Sequence, residues 1–149
     1  MFLSKLFHRT PKVECPRCLG KGFVDLADIE RLDRKFKWLP GPCAYCSGKG
    51  KVPEDRPEKV PVNTTFLATN LPASELKRLF NGDVNALNRA KEYEKHLDDL
   101  ILEIRRLHFV EGWDRGKMLD YYFSKYAASL NNEYHKNEFS NFINLVLTG

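Results

Sequence analysis

From Leu71 onward the apolar positions recur at helical spacing. Pro72-Ala73-Ser74-Glu75 reads as a helix start and Asn81-Gly82 as its stop. Asp83 can cap a long second helix running to about Val110. Within it Ala90, Tyr93, Leu97, Leu100, Ile104 and Leu107 fall three and four apart, and Ile101 and His108 widen the stripe. Glu111 to Gly116 is a break, with one glycine on either side of Trp113. A third helix, about 117–130, brings Met118, Leu119, Tyr122, Tyr126 and Leu130 to one side, and Asn131-Asn132 ends it. A last helix, about 133–147, turns Phe139, Phe142, Ile143 and Val146 inward. Amphipathic helices joined by short connections predict a helical bundle domain over 71–149.

The N-terminal half lacks that period. Residues 1–12 read as a leader, with Phe2, Leu3, Leu6 and Phe7 on one face and Lys5, His8 and Arg9 towards the other. A terminus that packs or frays is expected there, with an interfacial anchor as the alternative. Residues 13–52 are punctuated by cysteine and glycine, with short strands expected at Phe23-Val24 and Lys51-Val52. Between them Asp25 can cap a helix carrying Ile29, Leu32 and Phe36 on one face, and Trp38 to Pro42 leads the chain back. Residues 53–70, with Pro53, Pro57 and Pro61 among charges, read as an extended linker.

Hydrophobic residues at 42% and aromatics at 12% supply a real core and exclude wholesale disorder. No run approaches the roughly 18 apolar residues of a membrane span, and no secretory apolar region of about 7–15 residues opens the chain. A cytoplasmic protein is expected, and there cysteines serve metal or redox chemistry rather than disulfides. The net charge of +4 is uneven: residues 1–60 hold thirteen Lys/Arg against eight Asp/Glu, and the remainder eleven against twelve. The basic excess accompanies the cysteines.

All four cysteines, and four of the nine glycines, sit in one pattern written twice: CPRCLGKG at 15–22 and CAYCSGKG at 43–50. Two cysteines separated by two residues can bend both sulfurs onto one tetrahedral ion, at Zn–S distances near 2.3 Å. Each pair is half a site, so Cys15, Cys18, Cys43 and Cys46 are expected to hold one structural Zn2+. Gly20 and Gly48 would turn the chain under the metal at positive φ, and Gly22 and Gly50 would leave the turn closely packed. A redox-active or disulfide-bonded pair competes. A redox pair, however, sits at a helix N-terminus within a βαβ pattern, which is missing here. Lys12, Arg17, Lys21, Lys49 and Lys51 crowd the repeats, either offsetting the −2 charge of a zinc tetrathiolate or contacting phosphate. The fold class expected is α+β: a small zinc-knuckle β-hairpin module with a helical insertion, followed by an α-helical bundle.

The repeated Cys-x-x-Cys-x-Gly-x-Gly resembles the cysteine-rich zinc domain of DnaJ-type co-chaperones. The match reaches Cys15, Cys18, Gly20, Gly22, Cys43, Cys46, Gly48 and Gly50. The resemblance implies an extended β-hairpin zinc domain that engages unfolded polypeptide. That family carries four repeats and two ions, where this chain has two repeats and room for one. No His-Pro-Asp signature of a J domain occurs, so stimulation of an Hsp70-type ATPase is not implied.

Catalysis has no visible constellation. His8, His96, His108 and His135 are scattered, and Asp98-Asp99 lie too close along a helix to His96 to converge on an ion. A non-catalytic protein-interaction module, an adaptor or chaperone-like binder, is the leading expectation, with Trp38, Tyr45 and Trp113 as aromatic anchors. A nucleic-acid regulator is the alternative, pairing Lys35, Lys37, Lys49 and Lys51 with stacking on Trp38 and Tyr45. A thiol-dependent redox protein ranks third.

Overall fold

The glycine turns after the cysteine pairs set the topology of the first half. In the computed structural model, which describes residues 10–149, β1 (Lys12–Glu14) leads into the first repeat and β2 (Phe23–Val24) leaves it. In the same way β3 (Gly41–Pro42) enters the second repeat and β4 (Lys51–Pro53) leaves it. The pairing is nested. β1 runs antiparallel to β4, with Val13 opposite Val52 and Glu14 opposite Lys51. β2 runs antiparallel to β3, with Phe23 opposite Pro42 and Val24 opposite Gly41. The leader residues Phe2, Leu3, Leu6 and Phe7 lie outside the described residues.

Between β2 and β3 runs α1 (Leu26–Arg31), started by a capping box in which Asp25 and Asp28 each accept the other's backbone N–H. The expectation that this helix reaches Phe36 is corrected by its C-terminus. Asp33 adopts φ 57°, and the N–H groups of Asp33 and Arg34 return to the carbonyls of Glu30 and Ile29. That is a Schellman stop with aspartate where glycine is usual. Phe36, at φ 73°, is outside any helix.

Residues 53–70 depart from an extended linker. They contain the one-turn helix α2 (Arg56–Lys59) and put Val60, Thr65 and Leu67 in the interior. Isolated apolar residues with no period leave no trace in a pattern search, and here side chains from the cysteine repeats hold them, as described below.

The later helices follow their caps. α3 (Ala73–Phe80) stops at Asn81, and Gly82 takes φ +74°. Asp83 Oδ1 then accepts the Ala86 N–H (3.0 Å) to open α4 (Val84–Phe109). α5 (Arg115–Lys125) is capped by Asp114 and ends short of the expected 130, with residues 126–130 in turns. α6 (Glu133–Thr148) is capped by Asn132.

The chain divides into two compact units within α4, one up to Glu94 and the other Lys95–Gly149. The first packs Tyr45, Val52, Val60, Leu67, Leu79, Ala86 and Ala90 around the cysteines. The second buries Ile101, Ile104, Leu107, Met118, Tyr122, Ile143 and Val146. In that second unit the buried Tyr122 hydroxyl donates to Glu103 (2.6 Å), and its ring lies parallel to Tyr126 and tilted against Phe139. The fold is thus mixed α+β with a helical C-terminal region. Among the described residues, no helix is long and apolar enough to cross a membrane.

Candidate metal centre

Both repeats fold alike. Leu19 and Gly20 take φ 55° and 85°, and Ser47 and Gly48 take 54° and 76°. The Lys21 N–H returns to the Cys18 carbonyl, and the Lys49 N–H to that of Cys46. Beyond each turn an N–H donates to sulfur: Gly22 to Cys18 Sγ and Gly50 to Cys46 Sγ, both at 3.2 Å. The donors are the second glycines of the repeats, since the turn at Gly20 or Gly48 aims the N–H two residues further on.

The two knuckles face each other across an approximate two-fold. The Cys15 N–H donates to the Gly50 carbonyl and the Cys43 N–H to the Gly22 carbonyl. A Cβ on Gly22 would stand 2.5 Å from the Gly48 oxygen, and one on Gly50 would stand 2.5 Å from the Gly20 oxygen. The second glycine of each repeat is therefore required by the other repeat.

This arrangement brings the four sulfurs within 4.8 Å of one another, all on buried residues. Cys15 and Cys43 Sγ are 3.8 Å apart, and Cys18 and Cys46 Sγ 3.7 Å. A tetrahedral ion with metal–sulfur bonds of about 2.3 Å spaces its sulfurs about 3.8 Å apart. A disulfide would require about 2.05 Å, and all four cysteines are free. The cysteines are positioned to bind one metal ion. Among the described residues no other group of three or more His, Cys, Asp or Glu side chains is so placed. Hydrogen bonding between the Cys15 and Cys43 sulfurs, helped by the N–H groups of Cys18 and Arg17, outweighs burial and pulls the Cys15 thiol down, while the same contact and burial push Cys43 up.

Guanidinium groups brace the knuckles from outside. Arg31 Nη2 donates to the Arg17 carbonyl (2.8 Å), and Arg56 Nη1 to the Tyr45 carbonyl (2.6 Å), which is the equivalent position in the other repeat. Arg17 is 3% exposed. Its Nε donates to Val62 O (2.8 Å) and its Nη2 to Thr64 O (2.9 Å), while its guanidinium lies 4.3 Å from the Trp38 ring centroid. Burial pulls its pKa down to about 10, opposed by the sulfurs of Cys43 and Cys15. At neutral pH it stays charged and stands against the negative thiolates, while it fastens the 60–67 segment to the first knuckle. Arg17 is thus committed to the interior, which favours charge compensation over phosphate contact at this position.

Lys21 and Arg31 also clamp Asp28, which is almost fully buried, at 2.9 and 3.1 Å. Burial alone would raise the pKa of that carboxyl. The Lys21 ammonium, the Asp25 N–H and Arg31 outweigh burial and hold it at about 2. Its folded value lies below the ordinary 3.8, so its stabilisation is complete above about pH 4 and is lost as pH falls towards 2. Asp28→Ala is expected to lower the urea midpoint of the first unit at pH 7. The loss should be about 1–2 kcal/mol, through the lost capping box and two lost ion pairs, with metal content unchanged.

The expected partner-binding residues scatter. Tyr45 is wholly buried, its hydroxyl donating to Val60 O (2.8 Å), so it is a core residue rather than an exposed anchor. Lys37 is half-buried against Glu94 (2.6 Å), where Arg34 joins it. Lys35 and Lys49 are exposed. Trp113 belongs to the second unit, edge-on to Tyr121 and under Lys117 (4.4 Å).

Trp38 instead borders a cavity of about 430 Å3 with Leu39, Pro42, Leu67, Thr69 and Tyr93. A second cavity of about 240 Å3 shares Pro42, Ala44, Ala68 and Thr69 with it and extends past Cys43 and Gly48 to Leu76. Together they form a groove along β3 and the second knuckle. Its charged lining residues are Arg17 and Lys37, with no carboxylate among them. Thr65 and residues 67–70, which the sequence pattern assigns to a linker, supply part of its wall.

No family model matches the chain, and no curated protein or solved structure matches it either.

Proposed function

We propose that the protein is a non-catalytic adaptor in which a structural zinc ion makes rigid a groove that binds another polypeptide. The observation that carries this reading is the groove's position: its wall includes Cys43, Ala44 and Gly48, so the metal knuckle is part of the binding surface. Four thiolates favour a borderline-soft tetrahedral ion, and zinc is the redox-inert choice. With every position taken by cysteine, water and substrate have no place on the ion, and its work is structural. The partially DnaJ-like repeats support polypeptide as the ligand, in a chaperone-like or adaptor role. A reducing, cytoplasmic setting suits four free thiols.

The lining narrows the partner. Trp38 and Leu39, the latter 70% exposed, suit apolar side chains. Pro40 and Pro42 offer no N–H along β3, so recognition falls to side chains rather than to strand addition. Nucleic-acid binding is the lesser reading: Lys35 and Lys49 are exposed, while the burial of Tyr45 withdraws one of its two stacking residues.

Affinity purification from the native host tests the proposal. The wild type should retain a polypeptide reproducibly. Leu39→Asp, at a residue 70% exposed, and Trp38→Ala should each lose it by tenfold or more while keeping one equivalent of zinc. A wild type that retains nothing, or a Leu39→Asp variant that retains as much, would overturn the reading.

A further inference from the structure

α4 carries two apolar seams. Ile101, Ile104 and Leu107 are buried in the second unit, whereas Leu102 is 67% and Phe109 57% exposed. At 100° per residue, Lys95, Asp98, Asp99, Arg105, Arg106 and Phe109 all fall within about 60° of Leu102, on the side away from Ile104. The charges on this face are ordered. Two acids lie one turn before Leu102, and two bases lie one turn after it.

Turning the helix end for end about Leu102 lays acids on bases. We propose that this face is a self-association surface, on which two copies pair α4 antiparallel about a two-fold axis at Leu102. Asp99 then faces Arg106 of the second copy on one flank and Asp98 faces Arg105 on the other, each pair occurring twice. The two Leu102 side chains meet at the centre, and each Lys95 stem covers Phe109 of the other copy. Parallel pairing would set acid beside acid, so the same pattern rejects it.

The ion pairs of Lys95, Asp99 and Arg106 do not forbid this exchange. Lys95 and Asp99 pair at 2.9 Å with both side chains more than 60% exposed, and Arg106 meets Glu111 in a similarly open setting. Such pairs are worth little, so giving them up costs little. Arg105 reaches the Val146 carbonyl (3.1 Å), with its guanidinium 5.0 Å from the Phe109 ring centroid, which places a charge on the seam's edge. Residues 95–109 span about 22 Å of helix. An interface of that length lies at the small end of specific contacts, so a reversible dimer in the micromolar range is expected. The inference does not depend on the role proposed for the groove.

Sedimentation equilibrium of the full, metal-loaded chain from about 1 to 500 µM tests it. The wild type should show a monomer–dimer equilibrium. Asp99→Lys and Arg106→Glu each create two like-charge contacts in a homodimer and should weaken it about tenfold or more, with helical CD unchanged. Mixed in equal amounts, the two variants should recover the wild-type constant, because every 99–106 contact between them is again opposite in charge. Leu102→Asp should leave monomer throughout. A wild type monomeric over this range, variants that associate as tightly as the wild type, or a mixture that fails to recover would each overturn the proposal.

Discussion

Cys43→Ser is expected to abolish retention of the metal ion and to unfold the first unit while the second keeps its helices. Removing one sulfur strands three buried cysteines and withdraws the negative charge that offsets the buried Arg17. The loss spreads because Arg17 also holds the carbonyls of Val62 and Thr64 against the first knuckle. Structural zinc sites contribute on the order of 10–16 kcal/mol to folding, comparable with the total stability of a typical domain. Hydrogen exchange should therefore show protection lost through residues 10–94 and kept in α5 and α6. Native mass spectrometry should show one bound ion in the wild type and none in the variant. Equal loss of protection in both units would contradict this division.

Gly22→Ala and Gly50→Ala are expected to be nearly as damaging, and Gly48→Ala far less so. All three residues have φ between 76° and 81°, which costs an alanine about 1–2 kcal/mol. The difference is the neighbour. At Gly22 and Gly50 the added carbon meets a backbone carbonyl oxygen at 2.5 Å, whereas at Gly48 the nearest atom lies at 3.8 Å. A backbone oxygen cannot swing aside, so the two knuckles must separate and the sulfur cluster opens. Competition with a chromogenic chelator should show zinc released from Gly22→Ala at concentrations that leave Gly48→Ala loaded.

These glycines mark where sequence and structure agree and where they part. The paired Cys-x-x-Cys spacing, the caps at Asp25 and Asp83 and the 3.6-residue period of α4 to α6 are local signals, and each appears at its expected place, whereas Asn132, read as a helix end, caps α6 instead. The turn role of Gly20 and Gly48 was legible for the same reason. Long-range hydrogen bonds were not legible. Nothing near Val60 or Leu67 announces that a tyrosine and an arginine from the cysteine repeats will fasten that segment. Asp33 at positive φ is equally silent, since aspartate more often starts a helix than stops one. Burial of Tyr45 and Arg17 follows from the same docking, so an aromatic and a cation that look like surface chemistry prove to be interior parts. The unbroken stripe on α4 also hides that Ala86 and Ala90 serve one core while Ile101 and Ile104 serve another.

The nested pairing of the strands has a consequence for how such a chain can diversify. The excursion from Asp25 to Pro40 departs on β2 and returns on β3, and those two strands are hydrogen-bonded neighbours. Its ends are pinned together by the centre itself, so lengthening it adds only a slowly growing closure entropy. Residues 25–40 thus behave as a cassette plugged into a fixed socket. Trp38 and Leu39 ride on that cassette, so its length and outer side chains can be exchanged to suit a new ligand without moving the four sulfurs, provided Asp28 and Arg31 keep their hold on the first knuckle.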